Sequence, residues 1–464
     1  MKPVLLWSDI LIHLMMAALA GLILSVRRNP ETCARWRNVF ATRPGMVTFV
    51  IIMSYVSIAL LDSLHFRKAL PPTEGRTDQQ VFYSNHVYSA LDLLLGEMAE
   101  NDERTYSAPF ALKSFVKESQ HTDDGGTRRD YLNLKHAGRH LATADDQADD
   151  IATNTLIALS KGLTISTILI GLHLIWRYRK TTITRNELSW KSAYITLTIT
   201  ICLLTWLIVL GNLYHVLGTD QAGNDTLYKT LKSIRTGILI GTLATVIMMP
   251  IAIVFGISAG YFKGWVDDII QYLYTTLSSI PGILLIAASV LLFQVFIDNN
   301  PDFFEVGLEK ADAKFLGLCF ILGVTSWAGL CRMLRAETLK ISQLEYVQAA
   351  HAFGVSHWRI LMRHILPNVM PIILITFVLD FSGLILAEAV LSYIGVGIDP
   401  AMASWGNMIN MAHTELSREP AIWWNLIAAL LFMFTLVLAT NLFSDLVNDA
   451  FNPKSRLEGI ARER

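Results

Sequence analysis

Residues able to do chemistry stand in three places along this chain. Asp380 and Glu388 are two carboxylates inside one apolar run, eight residues apart, a spacing that on a helix sets them two turns apart on similar faces. Acids in such a run either line a path for polar solutes or tie neighbouring helices together, and both readings stay open for this pair. His215, Asp220 and Asp225 have metal-capable side chains, but their spacing matches no strong metal motif, so they are read as a polar segment feeding an apolar run. The third place is the polar stretch 345–354 followed by 355–367, which reads as helix, turn, helix. Gly354 supplies a left-handed cap, Ser356 caps the second helix, and Pro367 marks its end. Ala349 and Ala350 keep one face of the first helix thin enough for another protein to approach, and Phe353 is an apolar anchor.

Nucleotide chemistry is missing, because no G-x-x-x-x-G-K-[ST] occurs, so this chain is not expected to bind or hydrolyse ATP itself; no catalytic residue, cofactor or metal is assigned here. The run Gly395-Val-Gly-Ile-Asp399 departs from the G-x-G-D pattern of intramembrane aspartyl proteases by one residue, and no second Asp is suitably placed.

The elements that must position these residues are set by composition. Of 464 residues 53% are apolar and only 17% charged, against roughly 25% charged in soluble domains, which argues against a soluble enzyme. A net charge of −1 gives no reason to expect nucleic acid as a partner. Nine apolar runs are long enough to cross a bilayer as helices: 5–25, 46–64, 156–176, 193–213, 236–258, 271–297, 315–334, 368–393 and 422–446. The fold class is therefore an all-α polytopic membrane protein. Arg27, Arg28, Arg35, Arg37 and Arg43 follow the first run, and Arg177, Arg179, Lys180, Arg185 and Lys191 follow the third, which places both loops in the cytoplasm. The loop 298–313 is acidic, as an outer loop tolerates. The N-terminus is then extracytoplasmic and the C-terminus cytoplasmic. The first run lacks a small-residue cleavage site before Arg27 and reads as a retained span.

Residues 65–155 form the one soluble-like stretch, expected outside the membrane, with Leu91, Leu94, Leu95 and Met98 on one helical face and too few apolar residues for a core of their own. Removing it is expected to leave the spans intact. At an offset of 75 residues, His140, Asp145, Asp150, Thr155, Leu156, Gly162 and Thr167 repeat as His215, Asp220, Asp225, Thr230, Leu231, Gly237 and Thr242. None of the four cysteines lies in the polar segment, so no disulfide framework is visible.

The stretch 345–367 resembles the EAA loop of the membrane subunits of bacterial ABC importers, and most closely the dipeptide and oligopeptide permease branch. Ala349, Ala350, Gly354, Leu366 and Pro367 match the motif; Gln348 stands where Glu is expected and His364 where Ile is expected, with Glu345 one helical turn before Gln348 placed to supply the carboxylate. His215-Val-Leu-Gly-Thr-Asp220 with Gly223 and Asp225, Ser279-Ile-Pro281, Leu391-Ser-Tyr-Ile-Gly-Val-Gly397, Ser404-Trp-Gly-Asn407 and Asn441-Leu-Phe-Ser-Asp445 are similar to the same branch, in its order. Glu388 fits the family pattern and Asp380 has no counterpart in it. The resemblance implies an extra span plus a family-like first span in 1–64, an extracytoplasmic addition in 65–155, an added pair of spans in 156–213, a type I permease core in 214–453 and a cytoplasmic tail in 454–464. It also implies a second permease subunit, ATPase subunits under the loop, an extracytoplasmic substrate-binding protein and a peptide substrate, in the bacterial inner membrane. An importer of nickel or another peptide-like solute is the alternative within the branch; a proton-coupled carrier using Asp380 and Glu388 is the alternative from another class.

Overall fold

A backbone crossing hydrocarbon must satisfy its N–H and C=O groups within the segment, and the long apolar runs do so as helices. The computed structural model describes residues 2–28, 30–69, 83–84, 87–121, 127–141, 143–179, 188–300 and 307–451. Their order is β1 (Lys2–Val4), α1 (Trp7–Arg28), α2 (Pro30–Ala41), α3 (Arg43–Asp62), β2 (His65–Arg67), β3 (Tyr88–Ser89), α4 (Ala90–Leu95), β4 (Glu118–His121), β5 (Thr127–Asp130), α5 (Gln147–Arg179), α6 (Trp190–Gly211), α7 (Thr226–Phe262), α8 (Gly264–Ser279), α9 (Gly282–Asn299), α10 (Leu308–Ser326), α11 (Ala328–Ile341), α12 (Glu345–Ala352), α13 (His357–Ile360), α14 (Leu366–Tyr393), α15 (Trp405–Leu416) and α16 (Trp424–Phe451). Among the described residues eight helices are long and apolar enough to cross a membrane, α10 with α11 and α13 with α14 each counting as one. Nine were expected; the first expected run falls on α1, a 22-residue helix that is not among the eight because its apolar stretch among the described residues is only Trp7–Gly21. The chain is a polytopic all-α membrane protein.

The expected run 271–297 is not one helix. Pro281 offers no backbone N–H, and Ile280 before it is extended (ψ 134°), so the chain breaks into an amphipathic α8 and an apolar α9. Tail residues 454–464 lie outside the described residues, as do Lys180 and Arg185.

The chain divides into two compact units. One comprises Met1–Leu24, Phe40–Thr236 and Ala403–Ala439. Its three-stranded antiparallel sheet has the order β1–β2–β3, with Lys2 opposite Arg67 and His65 opposite Ser89, so the N-terminal strand is paired onto the start of the polar segment. α5 and α6 form a hairpin in which only Ala158, Gly162 and Ser166, four residues apart, are buried on α5. A side chain at Gly162 would meet the Cys202 backbone at 2.8 Å, so the glycine permits the close approach.

The polar segment borrows its core from the loops beside it. Tyr106, Ile422 and Trp424 are buried together, with Phe115 edge-on to Trp424 at 5.0 Å. Glu103 N–H donates to the Gly223 carbonyl, Thr219 N–H to that of Ser107, and Gly138 N–H to that of Leu213. Leu91, Leu95 and Met98 are buried as expected, but Leu94 points outward and is 55% exposed; α4 stops at Gly96 (φ +67°), and a 3-10 turn over Gly96–Ala99 carries Met98 inward. The 75-residue similarity has a structural echo: His140 and Asp150 pair at 2.8 Å, His215 and Asp225 at 2.6 Å, each pair at the entry to a long helix.

The other unit comprises Ser25–Val39, Gly237–Met402 and Thr440–Arg464. Its main core gathers Met248, Trp327, Cys331, Leu334, Val347, Ile360, Ile365 and Val369. Arg335 on α11 makes a two-pronged pair with Asp267 on α8 (2.5 and 2.6 Å), locking those helices together. Trp36 and Val39 of α2 pack with Val447 and Phe451.

Candidate functional site

The loop 345–367 is built from short elements with firm anchors. α12 ends in a Schellman motif: Gly354 adopts φ +71°, its N–H donates to the His351 carbonyl (3.0 Å), and Val355 N–H donates to that of Ala350 (3.1 Å). Ser356 occupies the N-cap of α13 in extended conformation, but its hydroxyl makes no capping bond; its carbonyl accepts from Ile360 N–H instead. Pro367 does not end the second helix. A π-helical turn over Leu361–Ile365 joins α13 directly to α14, and Pro367 falls in the first turn of α14, where a missing N–H costs little. The structure therefore has one continuous helical rod, His357–Tyr393, where two helices were expected.

Three contacts fix this loop. Val347, Ile360 and Ile365 are fully or almost fully buried. The Tyr261 hydroxyl on α7 is 2.8 Å from His357 Nδ1, with the His351 ring beside them. Asn368 Nδ2 donates to the Tyr346 hydroxyl at 3.2 Å, tying α12 to α14. Outward the loop shows a hydrophobic surface: Phe353 is 87% exposed and Trp358 68%, with Tyr346 and Met362 also exposed. Ala349 is exposed and Ala350 half-buried against the core, so the thin face opens at Ala349. Sequence reasoning singled out Phe353 and missed Trp358 and Met362, whose i, i+4 spacing was the available signal.

The Gln348 amide donates to the Gln343 carbonyl (3.1 Å), closing the turn that precedes α12. Glu345 is exposed and makes no ion pair or hydrogen bond among the described residues. His364 lends its carbonyl to Asn368 (2.6 Å), while Leu366 packs on the core.

Asp380 and Glu388 are not brought together. Glu388 is buried and accepts from Ser392 Oγ at 2.6 Å, and the same hydroxyl receives Ile398 N–H, so Glu388 ties α14 to the 392–398 turn. Asp380 is half-buried and has no hydrogen bond or ion pair among the described residues. About 12 Å of helix axis separates them, too far for direct proton exchange.

The His215 segment folds around its own charges. His215 Nδ1 is 2.6 Å from Asp225 Oδ2 and its Nε2 is 3.5 Å from Glu103 Oε1, all three groups buried. Glu103, which sequence reasoning missed, also accepts the Lys135 and His136 N–H groups at 2.8 Å. Burial opposes the charge on both groups, yet the two carboxylates outweigh it and lift His215 to about 9. For Glu103 the bonds from His215 and the two N–H groups overcome burial and hold the carboxyl at about 2. Asp220 turns inward on its loop, accepting Ala222 and Asn224 N–H (2.9 Å each), and pairs with Lys229.

Comparison with known proteins places this geometry. Residues 252–457, which include the whole loop, match the family described as binding-protein-dependent transport system inner membrane component. An oligopeptide transport system permease protein of Haemophilus influenzae is 31% identical over 244 residues, 52% of this chain and 71% of that one. A glutathione transport system permease protein of Pectobacterium atrosepticum is 32% identical over 240 residues, 52% and 73% respectively. A dipeptide transport system permease protein of Bacillus subtilis is 32% identical over 244 residues, 52% and 69%. With its spans, its capped loop and this likeness, the chain belongs to the family of inner-membrane components of binding-protein-dependent transport systems, as a membrane-spanning permease.

Proposed function

We propose that this chain is one permease subunit of an ATP-driven peptide importer, forming half of a translocation pathway with a second permease. ATPase subunits dock on the loop 345–367, and an extracytoplasmic binding protein delivers the peptide. The observation that carries this reading is the loop itself: anchored through Val347, Ile360 and Ile365, fixed by the Gly354 cap, and presenting Phe353 and Trp358 outward. Large apolar groups held rigidly in the open mark a surface that another protein covers. The peptide assignment draws on the relatives, which are named for oligopeptide, dipeptide and glutathione transport.

In this reading 1–64 carries the extra span and a family-like first span, 65–155 is extracytoplasmic, 156–213 adds two spans and 214–453 is the permease core. Two contacts support the orientation. β1 pairs with β2, which puts the N-terminus on the side of the polar segment, and Ser189 N–H donates to the Phe40 carbonyl, which brings the two basic loops to one side. The positive-inside rule makes that second side cytoplasmic.

Peptide uptake by proteoliposomes holding the chain with its co-purified partners tests the function. Uptake abolished by vanadate and indifferent to an uncoupler is expected; the reverse pattern, with Asp380→Asn abolishing transport, would establish a proton-coupled carrier instead.

A further inference from the structure

α2 is a short helix with two unlike faces. Trp36 and Val39 are turned to the core with Val447 and Phe451, which fixes the helix about its own axis. Pro30, Cys33, Ala34 and Arg37 lie at i, i+3, i+4 and i+7 on another face, and together with Arg27 and Arg28 they line a cavity of about 380 Å³. Arg27 and Arg28 occupy the last turn of α1, which the reading above takes as a span, so the cavity lies at headgroup depth. Its lining sets three guanidinium groups beside the compact side chains of Pro30, Cys33 and Ala34, and it is open to the surroundings. Neither Arg27 nor Arg28 has a carboxylate partner among the described residues.

Arginines that serve only as a topology signal have no reason to converge on a cavity. Guanidinium groups match phosphate oxygens two at a time, and like charges held close gain most from a shared anion. We propose that this cavity seats the phosphodiester of an anionic phospholipid from the surrounding bilayer, with Arg27, Arg28 and Arg37 on the phosphate oxygens. This holds independently of the transport reading, since it requires only that α1 end at the membrane surface.

Native mass spectrometry of the purified full chain, with its partners bound, tests this. The probes are phosphatidylglycerol and phosphatidylcholine offered in equal amounts, and inorganic phosphate as competitor. Preferential retention of phosphatidylglycerol is expected, unaffected by millimolar phosphate. R27Q/R28Q should lower that retention by on the order of tenfold, from the strength of arginine attraction to anionic lipid. A34W, which fills the cavity without changing charge, should lower it as well. R177Q/R179Q, which removes equal charge at the end of α5, should not. Equal loss in both double variants would reduce the effect to general surface charge and overturn the site. So would retention unchanged in A34W and R27Q/R28Q, or displacement of the lipid by phosphate, which would make free phosphate the ligand.

Discussion

Arg235 Nη2 on α7 lies 2.6 Å from Asp9 Oδ1 on α1, while the other oxygen of the same carboxylate is 2.8 Å from His65 Nδ1. Asp9 is completely buried, and Arg235 reaches Ser8 Oγ as well (2.7 Å), so α1 is fastened to the start of α7 by charge. Removing one partner leaves the other buried and unpaired, a loss of about 3–5 kcal/mol, whereas replacing both by apolar groups is far milder. Asp9→Ala should therefore lower the unfolding midpoint in mixed micelles sharply, and Asp9→Leu with Arg235→Leu should return most of it. Equal midpoints for wild type and Asp9→Ala would show that the pair holds nothing together.

Gly354 sits at φ +71° with open space where a side chain would begin, so substitutions there suffer from backbone strain and not from collision. A β-branched residue at such an angle costs roughly 1–3 kcal/mol, and Asn much less. Gly354→Val should leave the chain inserted but uncouple ATP hydrolysis from uptake in vesicles, while Gly354→Asn keeps most of both. Normal coupling in the valine variant would remove the loop from the mechanism.

The Glu103–His215–Asp225 cluster predicts a pH window. His215 is raised from 6.5 to about 9, so its contribution is complete below about pH 6.5 and is lost as pH rises through about 9. Glu103 is depressed from 4.5 to about 2, so its contribution is present above about pH 4.5 and fades as pH falls toward 2. Attachment of the polar segment to the 213–225 loop should thus be firmest between about pH 4.5 and 6.5. Hydrogen exchange at the Lys135 and His136 amides should quicken above pH 8 beyond the intrinsic base catalysis, and His215→Gln should flatten that rise. A rise that persists in His215→Gln would assign it to another group.

Gly162 and Gly171 lie on the same helix and differ in surroundings. A side chain at Gly162 would meet Thr205 Oγ1 at 2.5 Å and the Cys202 backbone at 2.8 Å, whereas Gly171 has nothing within 4 Å. Gly162→Leu should separate α5 from α6, read as lost cross-linking between engineered cysteines on the two helices, and Gly171→Leu should leave it intact. Identical behaviour of the two variants would contradict the packing.

Much of this was legible in the sequence because bilayers impose a length, and a run such as 193–213 has one way to satisfy its backbone. The Gly354 cap was legible because left-handed backbone strongly favours glycine. What escaped depends on partners distant in the chain. Glu103 meets His215 across more than a hundred residues, and no local pattern marks it. The break at Pro281 and the passage of Pro367 into a continuous helix turn on which carbonyls each proline would deprive of a bond, and only the three-dimensional ladder shows that. The polar segment looked short of a core because its own apolar content is low; Tyr106 and Phe115 packed with Ile422 and Trp424 show that it shares one with its neighbours.

The rod from His357 to Tyr393 contains 37 residues, with Pro371 inside it, and at a rise of about 1.5 Å each is roughly 55 Å long. Its π turn at Leu361–Ile365 lies close to one end, and Glu388 lies near the other, roughly 33 Å beyond the turn. Such proportions make a lever with a short arm and a long one: a tilt of about 10° about the π turn sweeps the Glu388 end through roughly 6 Å, the displacement of more than one helical turn's rise. In the proposed reading a push on Trp358 is thereby magnified at the far end, and because Val369 and Ile373 are buried in a shared core the neighbouring helices move with it.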